Sequence, residues 1–96
     1  MAERHRVRCV QRADGSDPDE RIARIGGTNS VGVNWRLTQE EAVEAIEGGR
    51  WDFYVEHSSG RAFDIVVGRT ATGSKYLKTT ADEDEPATLL ALPDCF

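Results

Sequence analysis

The segment Thr38-Gln-Glu-Glu-Ala-Val-Glu-Ala-Ile-Glu-Gly-Gly49 has the features of a short helix with a defined start and end. The Thr38 hydroxyl can accept the backbone N–H of Glu41 while the Glu41 side chain reaches back, which is the capping-box pattern. One narrow apolar stripe is formed by Ala42, Val43 and Ile46. The two glycines allow the chain to leave the helix. We therefore expect a helix over residues 38–48, which at about 10 residues needs a sheet to pack against.

The segments after this helix alternate apolar and polar residues, as half-buried strands do. Trp51, Phe53 and Val55 share one face of a strand predicted at 51–57, and a second strand is predicted at 61–69. The loop 57–60 between them ends in glycine, which is typical of an antiparallel hairpin. A third, short strand at 75–79 carries two lysines, which suit the edge of a sheet.

The chain before the helix has the pattern of a hairpin with a long loop. Strands are predicted at 4–12 and 20–26, on either side of the turn residues 14–19. Residues 28–34 are interpreted as an irregular, glycine-bearing linker. Near the C-terminus, Leu89, Leu90 and Leu92 predict an apolar strap that Pro93 ends. These elements predict one α+β domain over residues 1–96, in the order ββαβββ and strap, with one short helix on a small antiparallel sheet.

Composition narrows the classes of protein that fit. The chain has 96 residues, 39% of them hydrophobic, and a formal charge of -5. It carries no apolar run long enough to span a bilayer and no apolar N-terminal block, so we expect a soluble, cytoplasmic protein without a membrane partner. In that compartment Cys9 and Cys95 are expected as reduced thiols.

The quoted patterns also resemble a family of bacterial proteins, the domain-of-unknown-function family number 3892. The resemblance covers most of the chain and is strongest in the tail, where Tyr76-Leu-Lys-Thr79, Asp82 and Leu89-Leu-Ala-Leu-Pro93 follow one another. Weaker matches are Ile22-Ala-Arg-Ile-Gly-Gly27, Leu37-Thr-Gln-Glu-Glu-Ala42 and Phe53-Tyr-Val55. Thr88 stands where the family often has Asn. The resemblance implies no known activity.

Catalytic and metal-binding patterns are weak in this sequence. His57, Ser58 and Asp64 belong to the residue types of a nucleophilic triad, but neighbours at a hairpin tip are better interpreted as a polar turn. Asp52 and Glu56 share a strand face with Asp64 nearby, and solvated charge explains them better than acid–base catalysis. We therefore predict no enzyme activity, no catalytic or metal site and no cofactor.

The sequence instead favours a binding module with an unidentified protein or peptide partner. Tyr76 and Lys78 lie on the predicted edge strand, where either an extended peptide can add or Tyr76 packs and Lys78 protects the edge. Trp35 precedes the helix as a core residue or a surface anchor. These three residues are the predicted interaction surface. The oligomeric state is left open.

A nucleic-acid-binding protein is the alternative. Arg4, Arg6 and Arg8 repeat with period two, and arginine forks suit phosphate groups. Residues 1–36 carry seven arginines and five acids, whereas residues 37–96 carry five basic and twelve acidic residues. The net acidity disfavours this partner, and the three arginines can equally pair with acids of the same chain.

Overall fold

The computed structural model describes residues 3–15, 20–29, 31–56, 60–82 and 87–95. Within these residues the elements are β1 (Glu3–Arg6), β2 (Cys9–Arg12), β3 (Ile22–Thr28), β4 (Asn34–Thr38), α1 (Gln39–Glu47), β5 (Trp51–Glu56), β6 (Ala62–Arg69), β7 (Lys75–Thr79) and α2 (Ala87–Leu90). Three sets of residues lie outside the described ones: residues 16–19 of the turn predicted at 14–19, residues 57–59 of the loop predicted at 57–60, with His57 and Ser58, and the acidic segment 83–86. No described helix has the length and apolar character needed to cross a bilayer.

The strands form two sheets. One has the order β1-β5-β6-β7 and the other the order β2-β3-β4. The pairs β5–β6 and β6–β7 are antiparallel, as are both pairs of the smaller sheet, whereas β1 runs parallel to β5. The prediction of an α+β fold with a short helix packed on antiparallel strands is confirmed, and the parallel pair is an addition to it.

The predicted N-terminal strand at 4–12 is wrong as one continuous element. The Val7 N–H donates to Tyr54 of β5 at 2.8 Å, and the next N–H, that of Arg8, donates to Gly26 of β3 at 2.8 Å. The chain therefore changes sheets between Val7 and Arg8. Its apolar alternation runs through both parts because Val7 and Val10 are buried in the same core, and the pattern alone does not reveal the change of partner. The hairpin of β2 and β3 is antiparallel, as predicted.

The predicted linker at 28–34 leads into a strand that the prediction missed. β4 pairs antiparallel with β3, and Trp35 lies opposite Gly27. The turn before β4 is closed by Asn29, whose Oδ1 accepts the backbone N–H groups of Val31 and Val33 at 3.0 Å each. This side chain orders a segment whose glycine content resembles that of a flexible linker.

The helix begins where it was predicted. The Glu41 N–H donates to the Thr38 hydroxyl at 3.1 Å, and the Thr38 N–H donates to Glu41 Oε1 at 2.9 Å. α1 buries Ala42, Val43 and Ala45 in a core shared by both sheets. The largest fully buried side chains of this core include Phe53, Ile25, Leu77 and Leu89.

The C-terminal strap lies along β2, and the expectation of reduced thiols is corrected by a disulfide between Cys9 and Cys95. The Val10 N–H donates to Pro93 at 3.0 Å, and the Cys95 N–H donates to Val10 at 3.1 Å. These bonds place the two cysteines side by side, with Cα atoms 5.0 Å apart. Arg12 on the same strand contacts Asp94 and the carbonyl oxygens of Leu90 and Leu92.

Candidate interaction site

An aromatic cleft opens where the two sheets meet. Its lining residues are Glu3, Arg4, His5, Asn29, Trp35 and Trp51, around a volume of about 580 Å³. The His5 ring lies between the two tryptophans, with centroid distances of 4.9 Å to Trp51 and 5.7 Å to Trp35. The buried Phe53 ring lies behind them, 5.6 Å from Trp35. Both tryptophans are half-buried, so part of each ring remains available to a ligand.

Strand pairing explains how these rings come together. In the parallel pair of β1 and β5, Glu3 lies opposite Trp51 and His5 lies opposite Phe53. Trp35 comes from the other sheet, where its partner is Gly27. A Cβ at Gly27 would lie 3.0 Å from the Trp35 ring and 2.3 Å from the Arg6 carbonyl oxygen. The missing side chain at position 27 therefore lets the Trp35 indole and the β1 backbone approach β3.

Two of the rings that line the cleft carry buried polar atoms. His5 Nε2 and Trp35 Nε1 are buried and make no hydrogen bond within the described part of the chain. The Glu3 carboxylate lies 3.4 Å from His5 Nε2, which satisfies an ion-pair distance but not hydrogen-bond geometry. An unpartnered buried donor is costly.

A second depression, the helix cleft, also has Trp51 in its lining. Its lining residues are Leu37, Glu41, Glu44, Ala45, Arg50 and Trp51, around a volume of about 270 Å³. The capping hydrogen bonds from the Thr38 N–H and hydroxyl lower the pKa of Glu41, against a small opposing effect of burial. Glu41 is thus held as a carboxylate at the wall of this cleft.

The three residues predicted as an interaction surface do not come together. Trp35 lies on β4, whereas Tyr76 and Lys78 lie on β7 in the other sheet. Tyr76 is only 3% exposed. It lies opposite Gly68, where an added Cβ would approach the ring to 2.7 Å. Its side chain therefore packs onto the sheet and has almost no area to offer a partner.

The β7 edge is also occupied along its backbone. The Leu77 N–H donates to Gln39 Oε1 of α1 at 3.1 Å. The Thr79 N–H and hydroxyl both donate to Asp82 Oδ2 at 3.1 Å. Two donors that an added strand would use are therefore already bonded within the chain.

The same Asp82 connects β7 to the strap. Its Oδ1 accepts the Thr88 N–H at 3.1 Å and the Thr88 hydroxyl at 2.7 Å. Thr88 thus bonds to Asp82 through both its backbone N–H and its hydroxyl. The Asp-bearing turn of the tail pattern is a structural clamp between β7 and α2.

Two of the three arginines of the proposed nucleic-acid face are ion-paired. Arg4 contacts Asp64 at 3.0 Å and lies over the Tyr54 ring, 4.7 Å from its centroid. Arg6 contacts Glu56 at 3.3 Å. Arg8 lies beyond the change of sheets and is exposed. The same ion pairs engage Asp64 and Glu56, two of the carboxylates considered for catalysis. Among the described residues, no group of three or more His, Cys, Asp or Glu side chains is placed to hold a metal ion.

Sequence reasoning missed two residues of the cleft, His5 and Trp51. Trp51 was predicted on one face of a strand with Phe53 and Val55, and His5 within the strand at 4–12, but neither was predicted as part of an interaction surface. A histidine on the face of a strand otherwise occupied by buried residues was the available signal, because such a polar ring needs a partner.

A family model described as "Protein of unknown function (DUF3892)" matches residues 6–93, and the chain belongs to this family. No curated protein and no solved structure matches the chain.

Proposed function

We propose that this protein is a non-enzymatic interaction module that binds a protein partner through the aromatic cleft. The observation that carries the proposal is the placement of two half-buried tryptophans around His5 in one cleft. Tryptophan is enriched where binding energy concentrates in protein interfaces. Val31 and Val33, which lead into Trp35, are 79% and 57% exposed and extend the apolar surface beyond the cleft.

Tyr76 and Lys78 support this proposal less well than Trp35 does. Their strand is held along its edge by Gln39 and Asp82, and Tyr76 is buried. The partner surface is therefore proposed on the side of Trp35, with Trp51 and His5 in the roles first expected of Tyr76 and Lys78.

NMR shift mapping with extract fractions from the source cells tests the proposal. We expect the indole N–H signals of Trp35 and Trp51 and the amide of His5 to move. Trp51→Ala removes one of these signals and should abolish the shifts of the other two. Asp52→Ala, at an exposed position of the same strand that does not line the cleft, is the matched control. Shifts confined to β7 around Lys78 would contradict the cleft and favour the edge.

The nucleic-acid alternative rests on Arg8, together with Arg4 and Arg6 when their ion pairs open. Its signature is salt-sensitive binding of oligonucleotides that is lost on charge reversal at Arg8. If oligonucleotides at low salt leave every amide signal unmoved, that alternative is removed.

The compartment is part of the proposal. A cytoplasmic location was predicted, and intramolecular disulfides persist chiefly in oxidising compartments. We propose that in the cytoplasm Cys9 and Cys95 are reduced to two thiols in part of the population. Trapping the thiols in intact cells with an alkylating reagent measures that fraction. Complete protection from alkylation would point to an oxidising compartment.

A further inference from the structure

The aromatic cleft and the helix cleft share Trp51 as a common wall. Trp35 and Leu37, two positions apart on β4, line one cleft each. The two clefts therefore follow one another along the same strand, and together they are called the Trp51 groove. A groove that follows a strand past alternate side chains suits an extended chain better than a compact ligand.

The charges along the Trp51 groove are predominantly negative. Glu3 lies in the aromatic cleft, and Glu41 and Glu44 line the helix cleft. Arg4 also borders the groove, but its guanidinium is paired with Asp64 and lies over Tyr54. Arg50 supplies one positive charge against three carboxylates. The formal charge of -5 for the whole chain adds to the attraction of a cationic partner.

Aromatic walls and carboxylates together define a chemistry of recognition. Lysine and arginine lay their apolar stems along aromatic rings while the charged ends reach carboxylates. Building on the proposed function, we propose that the Trp51 groove binds an extended, lysine- or arginine-bearing segment of a partner protein. Its basic side chains lie against Trp51 and Trp35, and their charged ends reach Glu3 at one end and Glu44 at the other.

The probe for this proposal is a blocked peptide of alternating lysine and valine, about six residues long, which is the usual length of a strand. We expect it to shift the indole signals of Trp35 and Trp51, with affinity that falls as salt is added. Two comparison probes are the same peptide with glutamate in place of lysine and a linear diamine. Neither should reproduce these shifts.

Protein variants test whether binding depends on the charge of the Trp51 groove or only on its shape. Glu3→Gln and Glu44→Gln should each weaken binding of the lysine peptide by about twofold to fivefold, as expected for exposed ion pairs. Glu40→Gln makes the same change of charge on α1 at a residue that does not line the groove, and it should leave the affinity unchanged. Circular dichroism of each variant establishes that the fold is retained.

Several results would overturn the inference. Equal binding of the glutamate peptide would remove charge recognition, and equal binding of the diamine would make the occupant a small amine. Self-association that moves the same indole signals without peptide would make it a second copy of this chain. If the lysine peptide fails while extract fractions still shift Trp35 and Trp51, the basic segment is wrong and the proposed function stands. If both fail, the proposed function is wrong as well.

Discussion

β7 and β4 are both terminal strands of their sheets, yet they differ in what lies along them. Side chains from elsewhere in the chain bond to the β7 backbone, Gln39 at Leu77 and Asp82 at Thr79. β4 instead lies beside the Trp51 groove, and the exposed Val31 and Val33 lead into it. An edge position in a sheet is therefore not enough to predict a binding surface. What matters is whether distant residues have already used its donors and covered its apolar area.

The edge of β2 is covered more completely than that of β7, because the C-terminal strap lies along it. The strap of the same chain bonds to Val10 on both its N–H and its carbonyl oxygen, and the disulfide fixes it there. The smaller sheet thus has one terminal strand, β2, occupied by its own C-terminus and another, β4, beside a groove. Substitutions that remove the contacts covering β2 and β7 test whether those contacts stabilise the fold. Substitutions on the β4 side test whether that strand lacks such contacts.

Loss of the disulfide should have the largest effect. Cys9 and Cys95 are separated by 86 residues, and closing a loop of that length lowers the entropy of the unfolded chain by an amount that corresponds to about 4–5 kcal/mol. Urea denaturation of the Cys95→Ser variant against the oxidised protein should show a loss of this order. The reduced wild-type protein is the control and should match the variant. Equal stability of the oxidised and reduced proteins would show that packing alone holds the strap on β2.

Shortening a buried side chain of the strap should cause the next largest loss of stability. Leu89 is fully buried, and Leu89→Ala should lower the free energy of unfolding by about 3 kcal/mol because it leaves a cavity. Val31→Ala, at a residue 79% exposed, is the comparison on the β4 side and should change stability by less than about 0.5 kcal/mol. Both values come from urea denaturation. A large loss for Val31→Ala would mean that the β4 side is covered in solution.

Removal of the Asp82 carboxylate should release both β7 and α2. It accepts hydrogen bonds from Thr79 and from Thr88, and bonds to a charged acceptor are stronger than neutral ones. Asp82→Ala should therefore cost about 2–3 kcal/mol in urea denaturation. Asp52→Ala, at an exposed carboxylate on β5, should cost much less. If the two variants were equally stable, the clamp between β7 and the strap would be unimportant.

These contacts also mark the limit of what the sequence predicts. The helix start was predictable because Thr38 and Glu41 are three residues apart, and the hairpin of β5 and β6 because alternation and its turn are local. The parallel pairing of β1 with β5 and the approach of Cys95 to Cys9 depend on residues far apart in the chain. Tyr76 was expected at a surface because its burial depends on Gly68, eight positions earlier on a neighbouring strand.

Gln39 tests how the β7 edge is covered. Its Oε1 accepts the Leu77 N–H in a buried position, and a buried donor left without an acceptor costs about 1–2 kcal/mol. Gln39→Leu should lower stability by that amount and speed hydrogen exchange of the Leu77 amide. Glu40→Leu on the adjacent, exposed position is the control. Unchanged exchange at Leu77 would indicate that this amide is protected by other contacts.

The smallest effect is expected at the end of β4, where the capping box joins the strand to α1. Hydrogen bonds from the Thr38 N–H and hydroxyl lower the pKa of Glu41 in the folded protein. A lowered folded-state pKa contributes stability above the unfolded-state value, and this contribution is lost as the pH falls through the folded-state value. Thermal unfolding across the acidic range should therefore show a gap between wild type and Glu41→Gln that is widest near neutral pH and closes on acidification. The control is Glu40→Gln, which changes a carboxylate that does not take part in the bonds between Thr38 and Glu41. Its gap from wild type should not close in this way. A gap independent of pH would mean that the Glu41 carboxylate gains nothing from its charge, and that hydrogen bonding alone anchors β4 to the helix.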